Sequence, residues 1–309
     1  MSTVAGLIER TYRDWLYPPS ERPIVVPLTT TITAAQTTFV YDAGYLAPEE
    51  EDLIDAGVIV EIDRELMLTL RINTGTRTVT VGKRGYLGTT AAVHTAAADI
   101  TVAPTYPRQA LLDAMGDVVE GWFPDLYGKV TQALTSHSSP VEVPAAVEDV
   151  LRYLYEITDL TEVASTTWVE GNVKLLRDFP GSGGTPATEV SIEFVGVPDG
   201  KSGYLTYKRR FARPTVEASD LLTTYLIPTR WERLLMVGMV AQVISGRDID
   251  SATSEFIQEA LESQQFPVGS GRSIFQTLLS YYQYLMDLAR RDMQVYDDIG
   301  VEMMEVVLT

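Results

Sequence analysis

The stretch Val58-Ile59-Val60-Glu61-Ile62-Asp63-Arg64-Glu65-Leu66-Met67-Leu68-Thr69-Leu70-Arg71-Ile72 decides the fold. Val58, Val60 and Ile62 alternate with Ile59 and Glu61. After Asp63-Arg64-Glu65 the alternation resumes, with Leu66, Leu68, Leu70 and Ile72 on one side and Met67, Thr69 and Arg71 on the other. Period 2 is the strand period. Asn73-Thr74-Gly75 reads as a turn, and Thr76 to Val81 as the next strand. Upstream, Thr29–Thr33 and Thr37–Tyr41 are rich in Thr and aromatic or branched residues, which suit strands. Residues 24–104 therefore read as a meander of strands with one apolar face. Such a face must pack against something, most simply a second sheet.

Working outward, residues 3–16 form a short helix with Leu7, Tyr12, Trp15 and Leu16 on its apolar side, ended by Tyr17-Pro18-Pro19. Tyr106-Pro107 opens a helix to about Val119, with Leu111, Met115, Val118 and Trp122 on one side. Residues 140–213 read as a second β region, with strands at Leu151–Ile157, Val173–Arg177, Val190–Phe194 and Gly203–Phe211. Residues 217–296 read as helices at Arg230–Ser245, Ser251–Ser263 and Ser273 to about Met293, with Asp248 or Asp250 and Ser273 as caps. No repeat of fixed period is present. The fold class expected is α+β: an N-terminal β-sandwich or barrel-like domain, a second β region and a helical C-terminal part. The divisions expected are an N-terminal helix or arm at 1–23, a β-domain at 24–105, a helical connection at 106–139, a second β region at 140–215 and a helical region with a tail at 216–309.

Composition bounds the function. The chain has 309 residues, 45% hydrophobic and 21% charged, which is a globular composition and excludes intrinsic disorder. Its length points to two domains rather than one. The net charge is −18, with −4 over residues 1–110 and −14 over residues 111–309. That balance opposes phosphate neutralisation and hence nucleic-acid affinity. With no cysteine, disulfides, thiol catalysis, Cys-ligated zinc and iron–sulfur clusters are excluded. The N-terminus lacks the apolar core of a signal peptide, and the most apolar run, Leu234 to Ser245, is too short to span a bilayer. A soluble protein with no membrane contact is expected.

No motif for catalysis stands out, and no cofactor is expected. Gly196-Val197-Pro198-Asp199-Gly200-Lys201-Ser202 has one residue too few for a phosphate-binding P-loop, and a strand rather than a helix follows it, so it reads as a hairpin turn. His94 and His137 are 43 residues apart without companion ligands and read as structural or solvent-exposed. Gly181-Ser182-Gly183 is not a nucleophile turn. Glu49-Glu50-Glu51-Asp52 lacks calcium-loop spacing and reads as a solvated loop or helix start. No pair among the 42 acids is singled out as catalytic carboxylates. Lys208, Arg209, Arg210 and Arg213 form the one basic cluster, either an inter-subunit charge patch or a solvated strand edge. Trp231 to Val243 is apolar nearly all round and belongs in a bundle core or at a subunit interface.

One segment carries a resemblance. Val81-Gly82-Lys83-Arg84-Gly85-Tyr86-Leu87-Gly88-Thr89-Thr90-Ala91-Ala92-Val93-His94 resembles the RG-x-x-GT-x-A-x-x-H signature of β-domains in structural proteins of tailed bacteriophages. Pro104-Thr105-Tyr106-Pro107-Arg108-Gln109-Ala110-Leu111-Leu112-Asp113-Ala114 is similar to the helix that follows that domain in head-to-tail connectors, or adaptors, and in minor tail proteins. The match covers about residues 20–127. The family commonly has a glycine shortly after the histidine, where this chain has Thr95-Ala96-Ala97-Ala98.

The resemblance implies a non-enzymatic virion protein at the neck, in a homo-oligomeric ring of twelve around the DNA channel. The implied partners are further copies of the chain, the portal protein, and a tail completion, terminator or tail tube protein. Arg84, Gly85, Tyr86, Gly88, Thr89 and His94 become candidate subunit-interface residues, and the chain ends candidate reaching arms. A negative lumen lets DNA slide without sticking. Two other readings remain open. One is a minor tail or tail-terminator protein. The other is a β-sandwich carbohydrate-binding module with an aromatic platform drawn from Trp122, Phe123, Trp168 and Tyr204.

Overall fold

The computed structural model describes residues 3–18, 22–42, 44, 54–137, 141–143, 147–158, 166–176, 190–197, 200–245, 251–263 and 274–299. Contacts divide the chain into two units. One comprises Met1–Val118, Arg213–Thr224 and Pro228–Met286; the other comprises Val119–Ala212, Tyr225–Ile227 and Asp287–Thr309. The α+β class holds, with helices and strands in comparable share and a helical C-terminal region. The unit boundaries differ from the linear division: the N-terminal helix, the first β-domain and most of the late helices fold together.

In the first unit, strands β1 (Val25–Pro27), β2 (Thr38–Val40), β3 (Ile59–Ile62), β4 (Glu65–Asn73), β5 (Thr78–Lys83) and β6 (Asp99–Val102) form one antiparallel sheet in the order β1-β6-β3-β4-β5-β2. The sheet curls until its edges meet. Leu28 bridges Tyr41, Thr29 N–H donates to Val40 O at 2.9 Å, and Asp42 N–H donates to Pro27 O at 2.9 Å. Val26, Phe39, Val60, Ile62, Met67, Val79, Val81, Ile100 and Val102 fill the interior. The first strand lies at Val25–Pro27 rather than Thr29–Thr33, because Val25 and Val26 pair with Thr101 and Ile100. Threonine propensity alone misplaced it.

The apolar face of β4 is not the one its alternation marks. Val60 pairs with Met67, so those two share the interior face, and Leu66 pairs with Glu61 on the outside. A bulge at Leu70 then shifts the register, and Ile72 returns to the core side. Leu70 is left 63% exposed.

Helix α1 (Val4–Thr11) is capped by Thr3, whose Oγ1 accepts from Gly6 N–H at 3.1 Å, and it runs on as a π-helical turn over Tyr12–Leu16. It is not a free arm. Val4, Leu7, Ile8 and Leu16 are fully buried. Helix α2 (Arg108–Glu120) follows the barrel, as expected.

In the second unit, β7 (Gly128–His137), β9 (Val147–Thr158), β10 (Thr166–Glu170) and β13 (Lys201–Arg209) form one sheet in the order β10-β9-β13-β7. Strands β8 (Val141–Val143), β11 (Asn172–Leu176) and β12 (Val190–Val195) form another in the order β11-β12-β8. Leu134, Val147, Tyr153, Ile192, Phe194, Leu205 and Tyr207 make the core of this unit. Strand β7 occupies residues assigned from sequence to the helical connection. Its Val130-Thr131-Gln132-Ala133-Leu134 run alternates too weakly in hydrophobicity to declare itself. Strands β12 and β13 lie in different sheets, so the two strands that flank Gly196 and Gly200 do not pair as a hairpin.

Helices α3 (Leu221–Tyr225), α4 (Glu232–Ile244), α5 (Ser251–Ser263) and α6 (Ile274–Ile299) complete the chain. A 3₁₀ turn at Thr229–Trp231 precedes α4. Nearly every residue of α4 is buried, as its all-round apolar sequence requires. A Cβ at Gly238 would come within 2.8 Å of Val118 and 2.9 Å of Tyr282, so glycine sets how closely α2, α4 and the first half of α6 approach. No helix among the described residues is long and apolar enough to cross a membrane. Because α1 is core and not arm, Leu7→Ala is expected to cost about 2–5 kcal/mol in chemical denaturation, whereas an undocked arm would tolerate it.

Candidate functional site

The site is built on Glu65, the first residue of β4. The β3–β4 turn holds Asp63 in the left-handed region, φ 55°, and delivers Glu65 to a position where its side chain is 1% exposed. A carboxylate so buried must gather donors or become neutral. Five N–H groups reach it. Oε1 accepts from Arg84 Nε at 2.6 Å and Gly85 N at 3.0 Å. Oε2 accepts from Arg84 Nη2 at 2.8 Å and Ala92 N at 2.9 Å, and lies 2.9 Å from His94 Nε2. Burial alone would raise the Glu65 pKa. The hydrogen bonds from Arg84, Ala92, His94 and Gly85 outweigh it and hold the carboxyl down at about 2.

Arg84 spends all five of its donors. Besides the fork on Glu65, Nη1 donates to Thr33 O at 3.0 Å and Gln36 O at 2.6 Å, and Nη2 to Ala92 O at 2.7 Å. His94, 1% exposed, faces a carboxylate on each side, with Nδ1 2.6 Å from Asp63 Oδ2. The His94 backbone pairs with Ile32. Thr89 Oγ1 accepts from Leu66 N–H at 3.0 Å and donates to Tyr86 O at 2.9 Å.

Gly85 is left-handed, φ 58°, and a Cβ there would lie 2.6 Å from Thr89 O, so the loop closes only around glycine. Gly88 is also left-handed, at φ 86°. Tyr86 carries Lys83 over its ring at 5.8 Å.

The candidate interface residues therefore divide. Arg84, Gly85 and His94 turn toward Glu65 and Thr89 bonds Leu66 and Tyr86, so all four are spent inside the chain. Their neighbours Leu87 and Val93, which the sequence did not single out, point outward at 68% and 61% exposure. Glu65 also escaped notice, because a glutamate at a strand start carries no pattern. Chemically the cluster is closed: both oxygens of Glu65 and both nitrogens of His94 are engaged within the chain. The Arg84 guanidinium supplies the positive charge beside Glu65. Among the described residues no group of three or more His, Asp or Glu is placed to hold a metal ion.

A second polar cluster lies in the same unit. Glu61 Oε1 accepts from Arg108 N–H at 2.7 Å at the start of α2. Burial pushes Glu61 up to about 7, against the pull of that hydrogen bond. Arg108 bridges Glu9 of α1 and Glu217, the latter at 2.7 Å, and Arg64 Nη1 donates to Thr215 O at 3.1 Å. Arg10 meets Glu232 of α4 at 2.6 Å. Tyr12 OH donates to Tyr106 O at 2.9 Å, and Tyr106 N–H donates to Tyr17 OH at 3.0 Å. These contacts join segments that are far apart in sequence.

The basic cluster does not act as one. Strand β13 is central, not an edge, so the solvated-edge reading fails: β9 lies beside it and supplies acids. Lys208 meets Asp149 at 3.6 Å and sits over Tyr127 at 4.7 Å; Arg210 meets Glu148 at 2.6 Å and lies over Phe123. Arg209 is half-buried on the same strand. Arg213 belongs to the other unit, where it meets Asp117 at 2.9 Å. Of the aromatic platform candidates, Trp122 is fully buried, Phe123 is half-buried and Tyr204 is 43% exposed. The side chains of Trp168 and His137 lie outside the described residues, as do residues 49–52, 181–183, Asp248, Asp250, Ser273 and the tail 301–309.

No protein-family model matches the chain, and no curated protein is significantly similar to it.

Two pH effects of opposite sign follow. Glu65 is depressed, so its stabilisation is complete above about 4.5 and is lost as pH falls toward about 2. A shift of that size corresponds to about 3 kcal/mol. Glu65→Gln is expected to destabilise the barrel by about 3–5 kcal/mol at neutral pH and to flatten the acid limb of its stability curve. Glu61 is raised, so the fold loses stability as pH climbs from about 4.5 through about 7. Glu61→Gln is expected to remove that alkaline loss in denaturation measured at pH 5 and pH 8.

Proposed function

We propose that this chain is a structural virion protein of a tailed phage, a head-to-tail connector whose copies form a ring between portal and tail. The observation that carries the reading is the set of residues 84–94. Of the residues that bear the resemblance, Arg84, Gly85 and His94 fold onto Glu65 and Thr89 bonds Leu66 and Tyr86, and together they hold one loop in one shape. Their polar groups are used up in shaping the loop, which suits a part that must fit a neighbour and not one that turns over a substrate. In the ring, the further partners are the portal above and a tail completion, terminator or tail tube protein below. The net charge of −18 suits a wall past which DNA slides without adsorbing.

Cryo-electron microscopy of particles from the phage that encodes the chain tests this. A ring of twelve copies between portal and tail, with acidic side chains toward the channel, is the expected result. Six copies further down the tail would replace the connector with a tail terminator. Absence from purified particles would end the structural reading.

A further inference from the structure

The acids of this chain are unevenly placed. From Leu66 to Ala98, 33 consecutive residues, there is no Asp or Glu, while Arg71, Arg77, Lys83 and Arg84 are present. That stretch carries +4, which leaves −22 on the remaining 276 residues. It comprises β4 after its first residue Glu65, β5 and the clamped loop, all on the barrel of the first unit. The same stretch holds the three most exposed large apolar side chains among the described residues, Leu87 at 68%, Leu70 at 63% and Val93 at 61%.

These side chains are connected through the fold. Leu70 stands at the β4 bulge, and a Cβ added to Gly82 would lie 3.2 Å from Leu70 Cβ, so bare backbone flanks it. Lys83 follows Gly82 and reaches over Tyr86, next to Leu87. Val93 sits between Ala92, whose backbone is gripped by Arg84 and Glu65, and the buried His94.

Leu87 is also strained, at φ 51° and ψ 32°, a region that suits glycine. Among the described residues Leu87 is the most exposed large apolar side chain, and it holds that conformation in solvent. The clamp keeps it there, so little freedom is left to lose when the surface binds.

We propose that this face, drawn from a stretch without Asp or Glu and centred on Leu87 with Leu70, Val93, Arg71 and Lys83, is the surface by which one copy of the chain grips the acidic surface of the next. The inference rests on the homo-oligomeric reading above and names its contact. Charge selects the occupant. Two copies each at −18 repel unless the contact pairs unlike surfaces, and the chain itself supplies the acidic partner for its own basic stretch. Pairing two different patches is a head-to-tail contact, which closes into a ring when the rotation allows. Apolar side chains at the centre supply the adhesion, and the bases beside them set its direction.

The lack of cysteine makes the test clean. Leu87→Cys introduces a unique thiol for a benzophenone photocrosslinker, used on the full chain mixed from ¹⁴N and ¹⁵N preparations. The expected product joins residue 87 of one copy to an acid-rich peptide outside residues 66–98 of another. Association is expected to weaken at least tenfold in high salt, with Lys83→Glu and with Leu87→Gly. The glycine variant relieves the left-handed strain and so keeps the fold, which thermal melting checks. Crosslinks between residue 87 of both copies would overturn the head-to-tail contact. Association unchanged by Leu87→Gly and Lys83→Glu would overturn this surface while leaving the ring reading intact. A chain that stays monomeric at every concentration would overturn the contact, and the particle microscopy described above judges the ring separately. Retention of duplex DNA by the full chain, abolished by Lys83→Glu, would make the face a phosphate-binding surface instead.

Discussion

A carboxylate taken out of water must be met by donors, and in the barrel of this chain that requirement falls on Glu65. Moving an ion from water into a protein interior costs several kcal/mol unless its lone pairs are satisfied. Glu65 is satisfied by Arg84, Gly85, Ala92 and His94, which all lie on one loop. The loop is shaped by the charge it surrounds. Arg84 then extends the constraint to the Thr33 and Gln36 carbonyls, and His94 extends it to Asp63 and Ile32. One buried charge thus ties the β3–β4 turn, the 84–94 loop and the 29–37 connection together where the sheet curls.

The outside of the barrel follows from the same register. Val60 against Met67 places the small core side chains inward and leaves Glu61 and Leu66 outward. Glu61 meets the start of α2, and the Arg108–Glu9–Glu217 contacts bind α1 and the 213–224 segment to that end of the barrel. The bulge at Leu70 leaves a leucine in solvent beside the clamped loop. The β3–β4 pairing sets which side chains enter the barrel, and the bulge against β5 sets which one is left in solvent.

Much of this was legible before any coordinates. Period-2 alternation in 58–81 marked the barrel strands, the all-round apolar 231–243 marked a buried helix, and the spacing of Leu111 and Met115 marked α2. The segment at 84–94 was visible as a unit, because Arg84, Gly85, Gly88, Thr89 and His94 stand in the order of the signature it resembles. Its centre was not visible. Glu65 lies 19 residues before Arg84 and 29 before His94, a separation that only sheet pairing brings to contact.

Residue order alone determined the class of structure: that β3, β4 and β5 are strands and α2 and α4 helices, how acidic the chain is and that no thiol chemistry is open to it. Those properties depend on local periodicity and on composition, which need no knowledge of neighbours in space. Tertiary structure decided the rest. It decided which face of β4 is buried, because a bulge changes the side of a strand without changing its pattern. It decided that the N-terminal helix is core, because burial is conferred by partners distant in sequence. It decided that Arg84 and His94 face inward while Leu87 and Val93 face out, because only the fold brings a buried charge to the loop that must neutralise it.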